Sequence, residues 1–259
     1  MDLHSDPLLN ESIDTMVREI SVVLPLKSFW LYGSVVLDDF RAGWSDIDFI
    51  AFTDEPITSA QAEKLLTLRQ ELTSRCPGSP YYRSFEGVLV NLNEYRDGTY
   101  TRLIYWGTSG QRITDRYRID TFSMFELSKY GVCVCGEADR ELFKTPTRED
   151  LIAAVRSHYD GIRRCAVQTD DSIYSCGWLL DIARCIYTLR FNDVIGKTQA
   201  GEWAFSEHLF RNDEPLRKTL EIRRSPLAYR NDPKIKTWLE SLGPTVQQYA
   251  DVLERELDQ

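Results

Sequence analysis

Leu31-Tyr32-Gly33-Ser34-Val35-Val36-Leu37-Asp38-Asp39-Phe40-Arg41-Ala42-Gly43-Trp44-Ser45-Asp46-Ile47-Asp48-Phe49-Ile50-Ala51-Phe52 is an apolar run ending in Gly-Ser, a short connection, and a second apolar run opened by two carboxylates. Residues i and i+2 of an extended strand point to the same side. Asp46 and Asp48 therefore project together, while Ile47, Phe49 and Ala51 face a core. Like charges held this close repel, and a divalent cation between them relieves the cost. A Gly-Ser turn after the neighbouring strand offers backbone N–H groups and a hydroxyl to a triphosphate. Metal carboxylates beside a phosphate cradle are the equipment of phosphoryl or nucleotidyl transfer.

Outward from this stretch, Ile13, Met16, Val17, Ile20 and Val23 recur at helical spacing and predict an opening helix that ends near Leu24-Pro25. Ser28 to Tyr32 and Ile47 to Thr53 read as strands. Thr58 and Gln61 cap a helix carrying Leu65, Leu66, Leu68 and Leu72, and Phe85 to Leu92 reads as a third strand. Strand, strand, helix, strand is a small α/β unit. Between Asp97 and Gly136 the periodicity is weak; we expect a loop or short helix at 101–106, a helix at 124–129 and a strand at 132–134. After a capping box at Thr147-Arg148-Glu149-Asp150 the pattern is helical, with helices expected at 148–167, 173–191, 198–210, 214–224 and 232–256. The expected architecture is a mixed sheet flanked by helices over residues 1–145, followed by an all-α helical bundle over 146–259.

The chain of 259 residues is 42% hydrophobic, enough for a substantial core, and carries a net charge of −9. No basic stripe suits nucleic acid, and no apolar run is long enough to span a membrane. An acidic balance is compatible with a cationic ligand. The six cysteines form no C-x-x-C pairs, and the N-terminus lacks the order of a signal peptide, so a reduced, cytoplasmic protein is expected.

Glu86, near the start of the strand Phe85-Glu86-Gly87-Val88-Leu89-Val90, adds a third carboxylate if that strand lies beside the one bearing Asp46 and Asp48. Gly-Ser, about a dozen residues, Asp-x-Asp and a later strand acid form the pattern of the nucleotidyltransferase superfamily related to DNA polymerase β. Within it the chain resembles the aminoglycoside adenylyltransferases that modify streptomycin and spectinomycin. Two further stretches carry that likeness: Leu180-Asp181-Ile182-Ala183-Arg184-Cys185-Ile186-Tyr187-Thr188, and Gly196-Lys197-Thr198-Gln199-Ala200-Gly201-Glu202-Trp203-Ala204.

The resemblance implies a two-domain, monomeric enzyme that holds ATP and a cationic antibiotic in an interdomain cleft. Asp46 and Asp48 would bind two Mg2+ ions, and Gly33, Ser34 and Ser45 would hold the triphosphate. Glu86 would be the general base, with a third metal ligand as its alternative role. Arg184 and Lys197 would reach the phosphates, and Tyr229 would lie near the nucleotide. Trp106 would wall the drug pocket, and Asp170 and Asp181 are candidate partners for the drug's cations. The chain departs from the family in the connection after Ser34, which is one residue longer and carries Asp38-Asp39 in place of small residues. It departs again from Gly107 to Ile119, where the family's Gly-Glu-Trp segment is missing. A nucleotidyltransferase that modifies a protein or another small acceptor is the alternative reading.

Overall fold

The first apolar stripe folds as α1 (Pro7–Val23), started by the Asp6 carboxylate, which accepts from the Leu8 and Leu9 N–H groups, and by Pro7 at the first position. In the computed structural model, which describes residues 4–107 and 110–259, the chain continues through β1 (Ser28–Tyr32), β2 (Ile47–Thr53) and α2 (Ser59–Arg75). Thr58 and Gln61 close the reciprocal cap of α2. β3 (Phe85–Asn91) runs directly into α3 (Leu92–Asp97), because the Asn91 side chain accepts from the Asn93 and Glu94 N–H groups. Leu92 therefore opens a helix instead of ending a strand.

Beyond Arg102, the segment expected as a loop or short helix at 101–106 is a strand. Leu103–Gly107 is β4, paired antiparallel with β5 (Gly110–Thr114). Leu103, Ile104 and Trp106 are all buried, so both faces of β4 are covered and the alternation that marks a half-exposed strand is lost. α4 (Thr121–Tyr130) and β6 (Val132–Gly136) follow.

The six strands form one mixed sheet in the order β5-β4-β3-β2-β1-β6, in which only β2 and β3 run parallel. On one face Phe49 stacks on Phe29 with centroids 4.9 Å apart and meets Trp106 edge-on at 5.5 Å. On the other, Ile50 and Phe52 pack with Trp30, Val88 and Val90. Register then fixes the end of the sheet: Tyr32 pairs with Asp48 across β1 and β2, and Asp48 with Glu86 across β2 and β3.

The C-terminal helices are α5 (Arg148–Cys165), α6 (Gly177–Phe191), α7 (Lys197–Ser206), α8 (Glu214–Arg224), α9 (Pro226–Tyr229), α10 (Pro233–Glu240) and α11 (Gly243–Leu257). The helix expected over 232–256 is broken after Glu240. Pro244 lacks the N–H that an uninterrupted helix needs, and a Cβ at Gly243 would collide with the Val167 carbonyl. By its contacts the chain divides into two compact units, Met1–Asp38 with Ser45–Thr145, and Asp39–Trp44 with Pro146–Gln259. The first is the mixed sheet with its helices, the second is helical. Asp39–Trp44, inside the opening motif, belongs to the helical unit. No helix among the described residues is long and apolar enough to cross a membrane.

Candidate active site

β1 delivers the chain into a 3-10 turn, Gly33–Val35, at the end of the sheet where Asp48 and Glu86 stand in register. Gly33 has φ +69°, and a Cβ there would collide with the Asp48 carboxylate. A left-handed backbone and a close approach both demand glycine. The Ser34 hydroxyl donates to the Asp46 carbonyl at 3.2 Å, tying the turn to the entry of β2. Ser45 is buried, and Asp46 and Asp48 are half-buried. The first unit thus brings Gly33, Ser34, Ser45, Asp46, Asp48 and Glu86 to one end of one sheet.

Burial pushes the Asp48 carboxyl well above the usual carboxylate range, and the charges of Glu126, Asp46, Glu86 and Asp120 push it further. Glu126, on α4 and only 5% exposed, was not among the sequence candidates. Its signal was present: a lone acid at a position flanked by the buried Phe122, Phe125 and Leu127. Tyr105 was missed as well. Its hydroxyl donates to Glu86 Oε1 at 3.1 Å, and the Arg112 guanidinium lies 4.2 Å from its ring centroid.

A cavity of about 320 Å3 has Asp48, Glu86, Tyr105 and Tyr117 in its wall. Arg112, Arg116 and Arg118 also line it, so its charge is mixed rather than purely acidic. Trp106 does not wall this cavity. It is 0% exposed, its indole N–H donates to the Leu65 carbonyl at 3.1 Å, and it packs on Phe49. Strand alternation turns Trp106 to the opposite face from Tyr105, so of the two it is Tyr105 that faces the cavity.

Among the described residues no three Asp, Glu, His or Cys side chains are drawn together closely enough to hold a metal ion by themselves. The donors at hand are nevertheless hard carboxylate oxygens. Mg2+ ordinarily takes one or two of these and completes its shell with water and substrate phosphate. The crowding of carboxylates on Asp48 is the kind of repulsion a cation relieves, so Asp46 and Asp48 fit such an ion.

The helical unit carries a second cluster. Asp181 on α6 accepts from Lys197 Nζ at 2.9 Å and pairs with Arg184 Nη2 at 3.4 Å. Burial raises the Asp181 carboxyl, but the charges of Lys197 and Arg184 outweigh it and hold the carboxyl below its usual value. Asp181 is therefore occupied by the protein's own cations. Asp170 is likewise engaged, accepting from the Ser172 N–H at 3.0 Å and the Ser175 hydroxyl at 2.7 Å in the turn before α6. That is a capping role and leaves the carboxylate with local partners. Tyr229 is half-buried, and its hydroxyl donates to Glu221 Oε1 at 2.5 Å.

Residues 141–253 match the family model described as aminoglycoside adenylyltransferase, C-terminal domain. Among solved structures, the chain is similar to a spectinomycin adenyltransferase from Enterococcus faecialis determined with ATP and spectinomycin. The two are 17% identical, with a TM-score of 0.57 over 95% of this chain and 98% of that one. A search of curated proteins finds no significant match. Residues 141–253 are thus similar to the C-terminal domain of the aminoglycoside adenylyltransferases, and over nearly its whole length the chain shares the fold of a spectinomycin adenyltransferase.

Proposed function

We propose that this chain transfers AMP from ATP to a hydroxyl of an aminoglycoside or aminocyclitol antibiotic of the streptomycin or spectinomycin type, releasing pyrophosphate and inactivating the drug. The observation that carries the reading is the row at the end of the sheet: Gly33 against Asp48, and Asp48 in register with Glu86. The C-terminal family match and a structural neighbour holding ATP and spectinomycin support the choice of donor and acceptor.

In this reading the Gly33-Ser34 turn holds the triphosphate, with Ser45 beside it. Asp46 and Asp48 would hold Mg2+, two ions by family analogy, and bound metal neutralises charge that develops on the departing pyrophosphate. Glu86 takes the proton from the acceptor hydroxyl while that oxygen attacks the α-phosphorus in line. A phosphorus–oxygen bond forms to the acceptor, and the bond to the pyrophosphate bridging oxygen breaks. Tyr105 holds the Glu86 carboxylate in place through its hydroxyl. Arg184 and Lys197 supply the cations for the phosphates, with Tyr229 toward the nucleotide. The protein works in the cytoplasm as a monomer, independent of membrane and nucleic acid.

Purified protein incubated with ATP, Mg2+ and a panel including streptomycin and spectinomycin should yield a drug heavier by one AMP. A panel in which no compound gains that mass overturns the acceptor assignment.

A further inference from the structure

Asp39 and Arg223 are each only 2% exposed and form a buried ion pair, Arg223 Nη2 to Asp39 Oδ2 at 2.7 Å. The same nitrogen donates to the Asp39 carbonyl at 3.2 Å, and Arg223 Nε donates to the Thr198 hydroxyl at 3.0 Å. Asp39 Oδ2 also accepts from the Thr198 backbone N–H at 3.1 Å. That last bond is an N-terminal cap supplied from far away in sequence. The N-cap of α7 is Gly196, which has no side chain to offer. A Cβ at Gly196 would come within 2.7 Å of Asp39 Cβ, so glycine makes room for the borrowed cap.

The rest of the connection is fastened to the same unit. The Arg223 guanidinium lies 5.3 Å from the Trp44 ring centroid, Trp44 meets Tyr174 edge-on at 5.8 Å, and Arg230 donates to the Gly43 carbonyl. The residue next to Thr198 is Lys197, the first residue of α7. In the chain, residues 39–44 lie between Gly33-Ser34 and Asp46-Asp48.

We propose that Asp39 is a positioning residue for nucleotide binding. Its carboxylate fixes the N-terminus of α7, and thereby Lys197, through its hydrogen bond from the Thr198 N–H and its ion pair with Arg223. This rests on the reading of Lys197 as a phosphate-binding cation. A carboxylate aimed at the first turn of a helix is favoured by its unpaired N–H groups and dipole, and the Asp39 carboxylate is paired with Arg223 inside the core.

The test is a double-mutant cycle on ATP affinity, measured by calorimetry with Mg2+ on the full chain, with Asp39→Asn, Lys197→Met and both together. Asp39→Asn should weaken ATP binding at least tenfold, and should add less than twofold in the Lys197→Met background. Fully additive effects, or ATP affinity within twofold of wild type in folded Asp39→Asn, overturn the proposal. If Asp39→Asn does not fold, Asp39→Asn with Arg223→Gln removes both buried charges together and takes its place under the same criteria. If the wild-type chain binds no ATP, the reading of Lys197 fails. Hydrogen exchange at the Thr198 amide then decides the role of Asp39: faster exchange in the variant supports it, and an unchanged rate overturns it.

Discussion

Gly33 and Asp48 meet with no room for a side chain between them, at a backbone angle of φ +69° that only glycine adopts freely. The two halves of the motif are therefore in contact through the α-carbon of one and the carboxylate of the other. Gly33→Ala should cost about 1–2 kcal/mol from the left-handed backbone. It should also displace Asp48 enough to slow turnover on the order of 100-fold, since misplacement by about 1 Å costs that much in an oriented site. Denaturant melts and steady-state kinetics check the two parts separately. A variant with wild-type turnover would contradict the contact's role.

The Asp48 carboxyl lies above the ordinary carboxylate range because desolvation and the charges of neighbouring acids both disfavour its ionised form. The folded chain then keeps a proton that the unfolded chain has lost, so folding stability falls as pH rises from the ordinary carboxylate value through the raised one. Without divalent metal the protein should melt at a lower temperature at pH 8 than at pH 5.5. Asp48→Asn and Glu126→Gln should each flatten that slope. Thermal melts in a chelating buffer across this range read the effect, and added Mg2+ should stabilise the wild type more than Asp48→Asn.

Tyr105→Phe removes the hydroxyl that donates to Glu86 Oε1. The carboxylate then loses one of the groups that orient it. We expect kcat to fall roughly 10-fold, in line with one hydrogen bond to a charged group of about 1.5 kcal/mol, with KM for ATP unchanged. A change confined to KM for ATP would place Tyr105 at the nucleotide instead.

Trp106→Ala should destabilise the fold by about 3–5 kcal/mol, as expected for truncating a large buried aromatic. Among molecules that remain folded, the KM for the acceptor should hold. The partner experiment is calorimetric unfolding alongside acceptor titration at low temperature.

The strands at the site were legible because turn residues and apolar runs mark them locally. The juxtaposition of Asp48 with Glu86 was legible only conditionally, since it required β2 and β3 to be neighbours. Parallel pairing across α2 met that condition. Trp106 was misassigned because β4 is buried on both faces: with no polar alternation to read, nothing in the sequence says which of Tyr105 and Trp106 faces the acids. Asp170 and Asp181 read as ligands for a cation because a carboxylate's sequence does not reveal its partners. The fold supplies them from Ser172 and Ser175, and from Lys197 and Arg184. Asp39 stands out in sequence only as one of two adjacent acids after Ser34, because its partner Arg223 is 184 positions away.

The most direct measurement of the central claim follows radiolabel from ATP into the acceptor. With wild-type protein, Mg2+ and spectinomycin or streptomycin, label at the α-phosphorus should move to the drug, and label at the γ-phosphorus should appear in pyrophosphate. Glu86→Gln should cut the transfer by about 100-fold or more. Transfer of the γ label to the drug, or α-label transfer undiminished in Glu86→Gln, would contradict the account.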